Sequence, residues 1–240
     1  VYLKAAHFDI EDEIVSFSGK SYELLDRIGS GGNGAVYECI DSSGSIYAVK
    51  FLLQLSPKSQ KRFDQEVSLL ERINHPHIIR YVDKGKVDAV NSKGQEVELP
   101  FVIMERADRN LVDYLRSVES VPYEIYAAQF RGLCEALAEI HKVAIHRDIK
   151  PENVLIKGET WVISDFGLCT FLDPEEHREI TKPNEKVGPA FWMSPEAVDC
   201  SYFQSDLIGT YSDVFQLCAV FVFVLTKRFP GGIIHELNNL

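Results

Sequence analysis

The sequence predicts an α+β fold, with antiparallel strands first and helices after them. Three observations predict it. Residues 35–40 and 46–51 are strand-like runs around the turn Asp41-Ser42-Ser43-Gly44, which makes a hairpin. One amphipathic helix follows: Ser56 and Pro57 serve as cap and first turn, and Phe63, Val67 and Leu70 recur at helical spacing on one buried face. From Asn110, which caps a short helix over 111–117, the pattern is mainly helical. Tyr126, Phe130, Leu133, Leu137 and Ile140 mark a long amphipathic helix ending near His141. A chain of 240 residues accommodates one large domain or two small lobes.

Taken in order, residues 1–20 are an extension that carries no chemistry. Asp9, Glu11, Asp12 and Glu13 form a solvated acidic patch there. Next, Gly29-Ser30-Gly31-Gly32-Asn33-Gly34-Ala35-Val36 fits G-x-G-x-x-G-x-V, a pattern that several nucleotide folds share. Strands follow it here rather than a helix. A glycine-rich hairpin lets backbone N–H groups close over phosphates, because no Cβ blocks the approach. His75 and His77 read as turn residues after the helix, and 91–95 as an exposed hairpin tip between two strands. Phe101-Val102-Ile103-Met104 is a buried strand. Ser212-Asp213 opens an apolar helix over 214–226 that reads as buried on all sides.

Composition narrows the function. The chain is 45% hydrophobic, enough for a proper core, and a net charge of -11 implies no basic face, which argues against nucleic acid as a partner. The apolar run 214–225 is too short to span a membrane. Five scattered cysteines with no C-x-x-C pair suit a reducing, cytoplasmic compartment. The chain begins at Val1 and not at Met, so a longer parent protein with further domains, or processing, is an expectation; the sequence shows no signal peptide before the domain.

The chemistry concentrates in residues 146–167, HRDIKPENVLIKGETWVISDFG. The runs 154–156 and 161–163 flank Gly158 as two short strands joined by a turn. This hairpin brings together Asp148 and Asn153 from the loop before it and Asp165 from the loop after it. One carboxylate can take a proton from an attacking hydroxyl. The other, with the amide, can hold a hard cation such as Mg²⁺. On these residues and their separation the chain resembles the eukaryotic-type protein kinases, whose catalytic and metal-binding loops are HRD…N and DFG.

The resemblance implies a bilobal fold. After the extension 1–20 comes an N-lobe, 21–105, with an antiparallel sheet and one long helix. A hinge and a mainly helical C-lobe, 106–240, follow, and the C-lobe stops short of the family's usual length. It also implies a protein serine/threonine kinase that moves the γ-phosphate of ATP, with Mg²⁺, onto Ser/Thr hydroxyls of a protein substrate. Asp148 is then the base, Lys150 contacts the γ-phosphate, and Asn153 and Asp165 hold the metal. Lys50 matches the V-A-I-K lysine that pairs with the α- and β-phosphates, and Glu66 is its helix partner. Glu71 competes for that role but lies nearly half a turn away on the wheel. Gly29, Gly31 and Gly34 cover the phosphates, while Ile28, Val36, Ala48 and Leu155 clasp adenine. Met104 guards the pocket behind the base, and the Glu105 carbonyl and Ala107 amide bond its edge. His146 packs under the metal loop, and Asp213 anchors the catalytic-loop backbone.

The activation segment departs from the family's pattern. Met193-Ser194-Pro195-Glu196 resembles A-P-E, yet the sequence offers no arginine partner for Glu196. Pro189 stands where a threonine normally follows Gly188, and Trp192 resembles the tyrosine-kinase-like branch. Arg147 puts a cation where an activation-segment anion docks. The usual phosphorylated position falls on Glu185, already an anion; Thr181 and Thr170 are the hydroxyl candidates. The alternatives are a pseudokinase scaffold, which the filled key positions oppose, and a small-molecule kinase, which the K-P-E-N run and the S-P-E segment oppose.

Overall fold

A computed structural model describes residues 2–3, 8–31, 34–173, 192–197 and 208–229. They belong to two units, Val1–Glu71 with Arg80–Ala107, and Arg72–Ile79 with Asp108–Leu240.

The first unit is built on strands β1 (Tyr2–Leu3), β2 (Phe8–Ile10), β3 (Glu13–Val15), β4 (Ser21–Gly31), β5 (Gly34–Asp41), β6 (Ile46–Leu52), β7 (Tyr81–Asn91) and β8 (Glu96–Glu105). They make one eight-stranded sheet in the order β1-β2-β7-β8-β6-β5-β4-β3. The turns follow from their sequences. Asp41 Oδ1 accepts from the N–H groups of Ser43 and Ser45 at 2.9 and 3.0 Å, and Gly44 takes φ +84°. Asn91 Oδ1 does the same for Lys93 and Gln95 at 2.9 and 3.1 Å, ahead of Gly94 at φ +74°.

Strand alternation sorts the side chains. Ala35, Tyr37, Cys39, Val49, Phe51, Leu99, Phe101 and Ile103 enter one buried core. Phe51 stacks edge-on to Tyr37 and Phe101 at centroid distances of 6.1 and 5.8 Å. Gly85 makes room for this packing: a Cβ there would sit 2.4 Å from the Phe101 ring.

The expected extension, residues 1–20, in which the sequence shows no chemistry, contributes the strands β1, β2 and β3 to this sheet. Phe8, Ile10 and Ile14 are buried in the core, while the acidic residues Asp9, Glu11, Asp12 and Glu13 face solvent. The sheet curls until its edge strand β3 reaches β7: Ser16 bridges to Gly85, and the Phe17 N–H donates to the Lys84 carbonyl at 2.8 Å. The closure is fastened by the buried Asp83, which accepts from the hydroxyls of Ser16, at 2.8 Å, and Ser18, and from the Lys84 N–H at 2.8 Å. Burial pushes the Asp83 carboxyl up, but these donors outweigh it and hold it below the usual range. Strands of two or three residues give too few periods to read from sequence.

Helix α1 (Pro57–Arg72) starts where its cap predicts, with the Ser59 N–H donating to Ser56 Oγ at 3.2 Å.

The second unit carries β9 (Arg109–Asn110), α2 (Leu111–Ser117), α3 (Tyr123–Ile140), β10 (Ala144–Ile145), a 3-10 turn (Pro151–Asn153), β11 (Val154–Lys157), β12 (Thr160–Ile163), β13 (Thr170–Phe171) and α4 (Thr210–Thr226). Asn110 caps α2 through its side chain, accepting from Asp113 N at 2.9 Å. Strands β11 and β12 form the expected hairpin around Gly158, at φ +57°, and β9 extends it to three strands. The turn after α1 docks on this unit: His77 Nδ1 bonds the Trp161 carbonyl at 2.8 Å, and a Cβ on Gly132 of α3 would strike the His77 ring at 2.1 Å. Phe221 packs α4 against Phe130 of α3, with centroids 3.4 Å apart. Helix α4 begins at Thr210, earlier than expected, and the expectation of burial on all sides does not hold. Val214, Val222 and Leu225 are 48%, 52% and 62% exposed, on one stripe of helical spacing.

Candidate active site

On the first unit, sheet register aligns the residues expected to meet nucleotide. Gly29 pairs with Val36, Val36 with Lys50, and Lys50 with Val102; in the next row Glu38 pairs with Ala48 and Ala48 with Met104. Alternation puts Val36, Ala48, Lys50 and Met104 on the face opposite the aromatic core. Lys50 Nζ lies 2.6 Å from Glu66 Oε1, and the Glu66 side chain is 4% exposed. Glu71 instead pairs with Lys84 at 2.8 Å on the surface, so the structure brings Glu66 and not its competitor to Lys50.

The glycines differ in why they are glycine. A Cβ on Gly34 would lie 2.5 Å from the Phe51 carbonyl oxygen across the β5–β6 ladder, so packing alone demands glycine there. At Gly29 a Cβ would meet Val36 at an ordinary 3.6 Å, so the sheet itself does not require glycine at that place. Gly31 pairs with Gly34 at the hairpin's end, and Ile28 is 44% exposed. At the end of β8, the Glu105 N–H donates to the Arg80 carbonyl at 3.0 Å. Arg106 Nε binds Glu38 at 2.6 Å.

On the second unit the HRD loop is held from α4. The fully buried Asp213 accepts from the N–H groups of His146 and Arg147, each at 2.7 Å, and bonds His141 Nε2 at 2.9 Å. One turn on, Gln216 Oε1 accepts from the Ile149 N–H at 2.9 Å. These bonds hold Arg147 at φ +70°, a left-handed conformation that a non-glycine residue keeps only under constraint. Asp213 is the anchor the resemblance implies. Gln216 was passed over, although a lone amide one turn after that aspartate in an apolar helix was its signal.

Around Asp148 the geometry is dense. Lys150 Nζ donates to both carboxylate oxygens at 3.1 and 2.9 Å. Asn153 Nδ2 donates to Asp148 Oδ2 and to its backbone carbonyl, both at 2.8 Å. Burial pushes the Asp148 carboxyl above the usual aspartate range against the pull of the Lys150 ammonium, and the Asp165 carboxylate adds a smaller upward push. Asp165 stands at φ +62°. His146 is buried with its ring 4.8 Å from that of Phe166. Its Nδ1 accepts from the Asp148 N–H at 3.3 Å and its Nε2 donates to the Ser164 carbonyl at 3.2 Å, which assigns the Nε2–H tautomer. Leu155 sits on β11, half-buried.

Thr170 lies in β13, paired with Ile145. Thr181, Glu185, Gly188 and Pro189 lie outside the described residues. Trp192 packs on Phe223 of α4 at 5.5 Å. Glu196, for which the sequence offers no arginine partner, receives a hydrogen bond from the Ser212 hydroxyl at 2.6 Å. Partial burial opposes ionisation, but this bond helps hold its carboxyl below the usual range.

A curled antiparallel sheet bearing a lysine–glutamate pair, with an HRD loop and a DFG loop on a helical unit, defines a protein of the kinase class. The protein kinase domain matches residues 22–238, and the chain belongs to that family. It is 32% identical over 218 residues to a probable serine/threonine-protein kinase of Corynebacterium efficiens, covering 87% of this chain and 31% of the relative. It is 32% identical to serine/threonine-protein kinase pak-1 of Caenorhabditis elegans, covering 75% and 30%. It is 29% identical to serine/threonine-protein kinase A of Synechocystis, covering 87% and 41%. The chain thus spans well under half the length of these curated relatives.

Proposed function

We propose that the chain is an ATP- and Mg²⁺-dependent protein serine/threonine kinase. The observation that carries this is the Asp148 carboxylate, buried yet gripped by Lys150 and Asn153. Asp148 orients the substrate hydroxyl and takes its proton; its raised affinity for protons suits a base. Lys150, which donates to Asp148, contacts the transferring γ-phosphate. Lys50, held by Glu66, positions phosphate oxygens. Ile28, Gly29, Gly31, Gly34, Val36, Ala48, Met104, Glu105 and Ala107 on the first unit, and Leu155 on the second, take the nucleotide roles expected of them. In support, the Ala107 N–H meets no acceptor among the described residues, as a group reserved for adenine would. Arg147 is proposed to meet the activation segment, with Thr170, Thr181 and Glu185 as its regulatory candidates.

The residues fit Mg²⁺. The Asn153 amide nitrogen is twice committed, while its Oδ1 accepts no hydrogen bond among the described residues and is left as a hard oxygen donor. Asn153 and Asp165 would hold the ion, which supplies charge neutralisation when bound.

No helix of the described residues is long and apolar enough to cross a membrane. With five scattered cysteines and no disulfide among the described residues, we propose a cytoplasmic site of action.

The test is transfer from γ-labelled ATP to a mixed protein substrate, with phosphoamino-acid analysis. Phosphoserine or phosphothreonine that needs Mg²⁺ and vanishes in Asp148→Asn is expected. Nucleotide binding without transfer would make the chain a scaffold.

A further inference from the structure

Asn153 and Asp165, assigned above to the cation, stand on either side of the β11–β12 hairpin. Ser164 joins them. Its backbone N–H and its hydroxyl both donate to the Asn153 carbonyl, each at 2.9 Å, filling both lone pairs of that oxygen. Its own carbonyl accepts from His146 Nε2 at 3.2 Å. The residue is buried, so water does not compete for these bonds. Directly after it the backbone turns left-handed at Asp165, a conformation that persists only when neighbours enforce it. On the other side, the Asn153 amide is spent on Asp148. A continuous run of bonds and one peptide link therefore connects Asp165, Ser164, Asn153 and Asp148.

We propose that Ser164 is a positioning residue for the divalent cation, its hydroxyl setting the separation between the Asn153 oxygen and the Asp165 carboxylate. The backbone bond alone could be made by any residue here. The hydroxyl adds a second bond to the same carbonyl and stops the Asn153 peptide from rocking about the first. The inference rests on the kinase reading of the site. It adds a residue that neither touches the ion nor belongs to the HRD or DFG triplets. Losing a side chain that orients a metal's ligands from behind typically weakens metal affinity by about 10–100-fold.

The test is Mn²⁺ binding to the full chain, read by electron paramagnetic resonance in the presence of a non-hydrolysable ATP analogue. Analogue affinity without metal is measured alongside. Ser164→Ala removes one oxygen and is expected to weaken Mn²⁺ binding about tenfold. Metal-free analogue affinity should stay at the parent's value while the melting temperature falls only slightly, by the loss of one buried hydrogen bond, and Ser164→Thr, which keeps the hydroxyl, should restore the metal. Ser164→Ala binding Mn²⁺ like the parent overturns the inference, as does an equal loss of metal and metal-free analogue binding. A Ser164→Thr protein that melts like the parent yet binds no better than Ser164→Ala also overturns it. A parent that binds no Mn²⁺ with the analogue sinks the kinase reading itself, a distinct result.

Discussion

Lys50 shows how position and environment together make a side chain useful. Its place in the register sets it opposite Val36 and Val102, on the face away from the aromatic core, and Glu66 holds its ammonium at 2.6 Å. Lys50→Met should remove a preorganised charge and cost about 3 kcal/mol or more of transition-state stabilisation, measured as kcat/KM. It also takes the lysine from a carboxylate that is 4% exposed, so the melting temperature should fall as well. Adding Glu66→Leu should recover stability and not activity; recovered activity would remove Lys50 from the site. Asp148 makes the complementary case. The folded protein binds this residue's proton more readily than the unfolded chain does. Parent stability relative to Asp148→Asn should therefore rise as pH falls from neutral through the raised value, levelling off once the ordinary aspartate range is passed. The acid limb of kcat/KM should lie above that of an ordinary aspartate. Paired urea melts and a pH–rate profile check both. The residue types at this site were legible because HRD, N and DFG sit at fixed separations. The choice of Glu66 over Glu71 needed only the helical wheel. Gln216 had a signal, an amide one turn after Asp213 in an apolar run, whereas the bonds of the buried Ser164 have no signature until its partners are placed.

At the scale of elements, α4 is the platform for the catalytic loop. Two of its polar side chains do that work: Asp213 takes the His146 and Arg147 N–H groups, and Gln216 takes that of Ile149, while Ser212 binds Glu196 of the S-P-E segment. Asp213→Ala takes the acceptor from the His146 and Arg147 N–H groups and from His141 Nε2, and the buried His146 N–H alone costs about 1–3 kcal/mol when left unpaired. Turnover should be lost and the urea midpoint lowered. Asp213→Asn, which keeps one acceptor oxygen, should fall between the parent and Asp213→Ala. A midpoint unchanged in Asp213→Ala would contradict the anchoring role. Helices were well read from sequence where caps mark them: Ser56 and Asn110 place the starts of α1 and α2. The burial of α4 was misread because an apolar composition hides periodicity; Val214, Val222 and Leu225 look no different from Val220 or Val224 in a list of letters.

For the whole molecule, the least legible feature is the closing of the first sheet by residues 8–20. No periodicity announces it, and the matched kinase domain starts only at Tyr22. Asp83→Ala removes the acceptor shared by Ser16 and Ser18 and should cost about 1–3 kcal/mol. Its donors hold the Asp83 carboxyl low, so the stability it contributes is present above the ordinary aspartate value. That stability is lost as pH falls through the lowered one. Acid melts of the parent and Asp83→Ala should therefore converge at low pH. Tyr22 is where the family match begins and not where the folded sheet begins. A protein cut there for expression would keep every residue assigned to catalysis and would bare the groove left by Phe8, Ile10 and Ile14. Its insolubility in the test tube would say nothing about whether the intact chain is an enzyme.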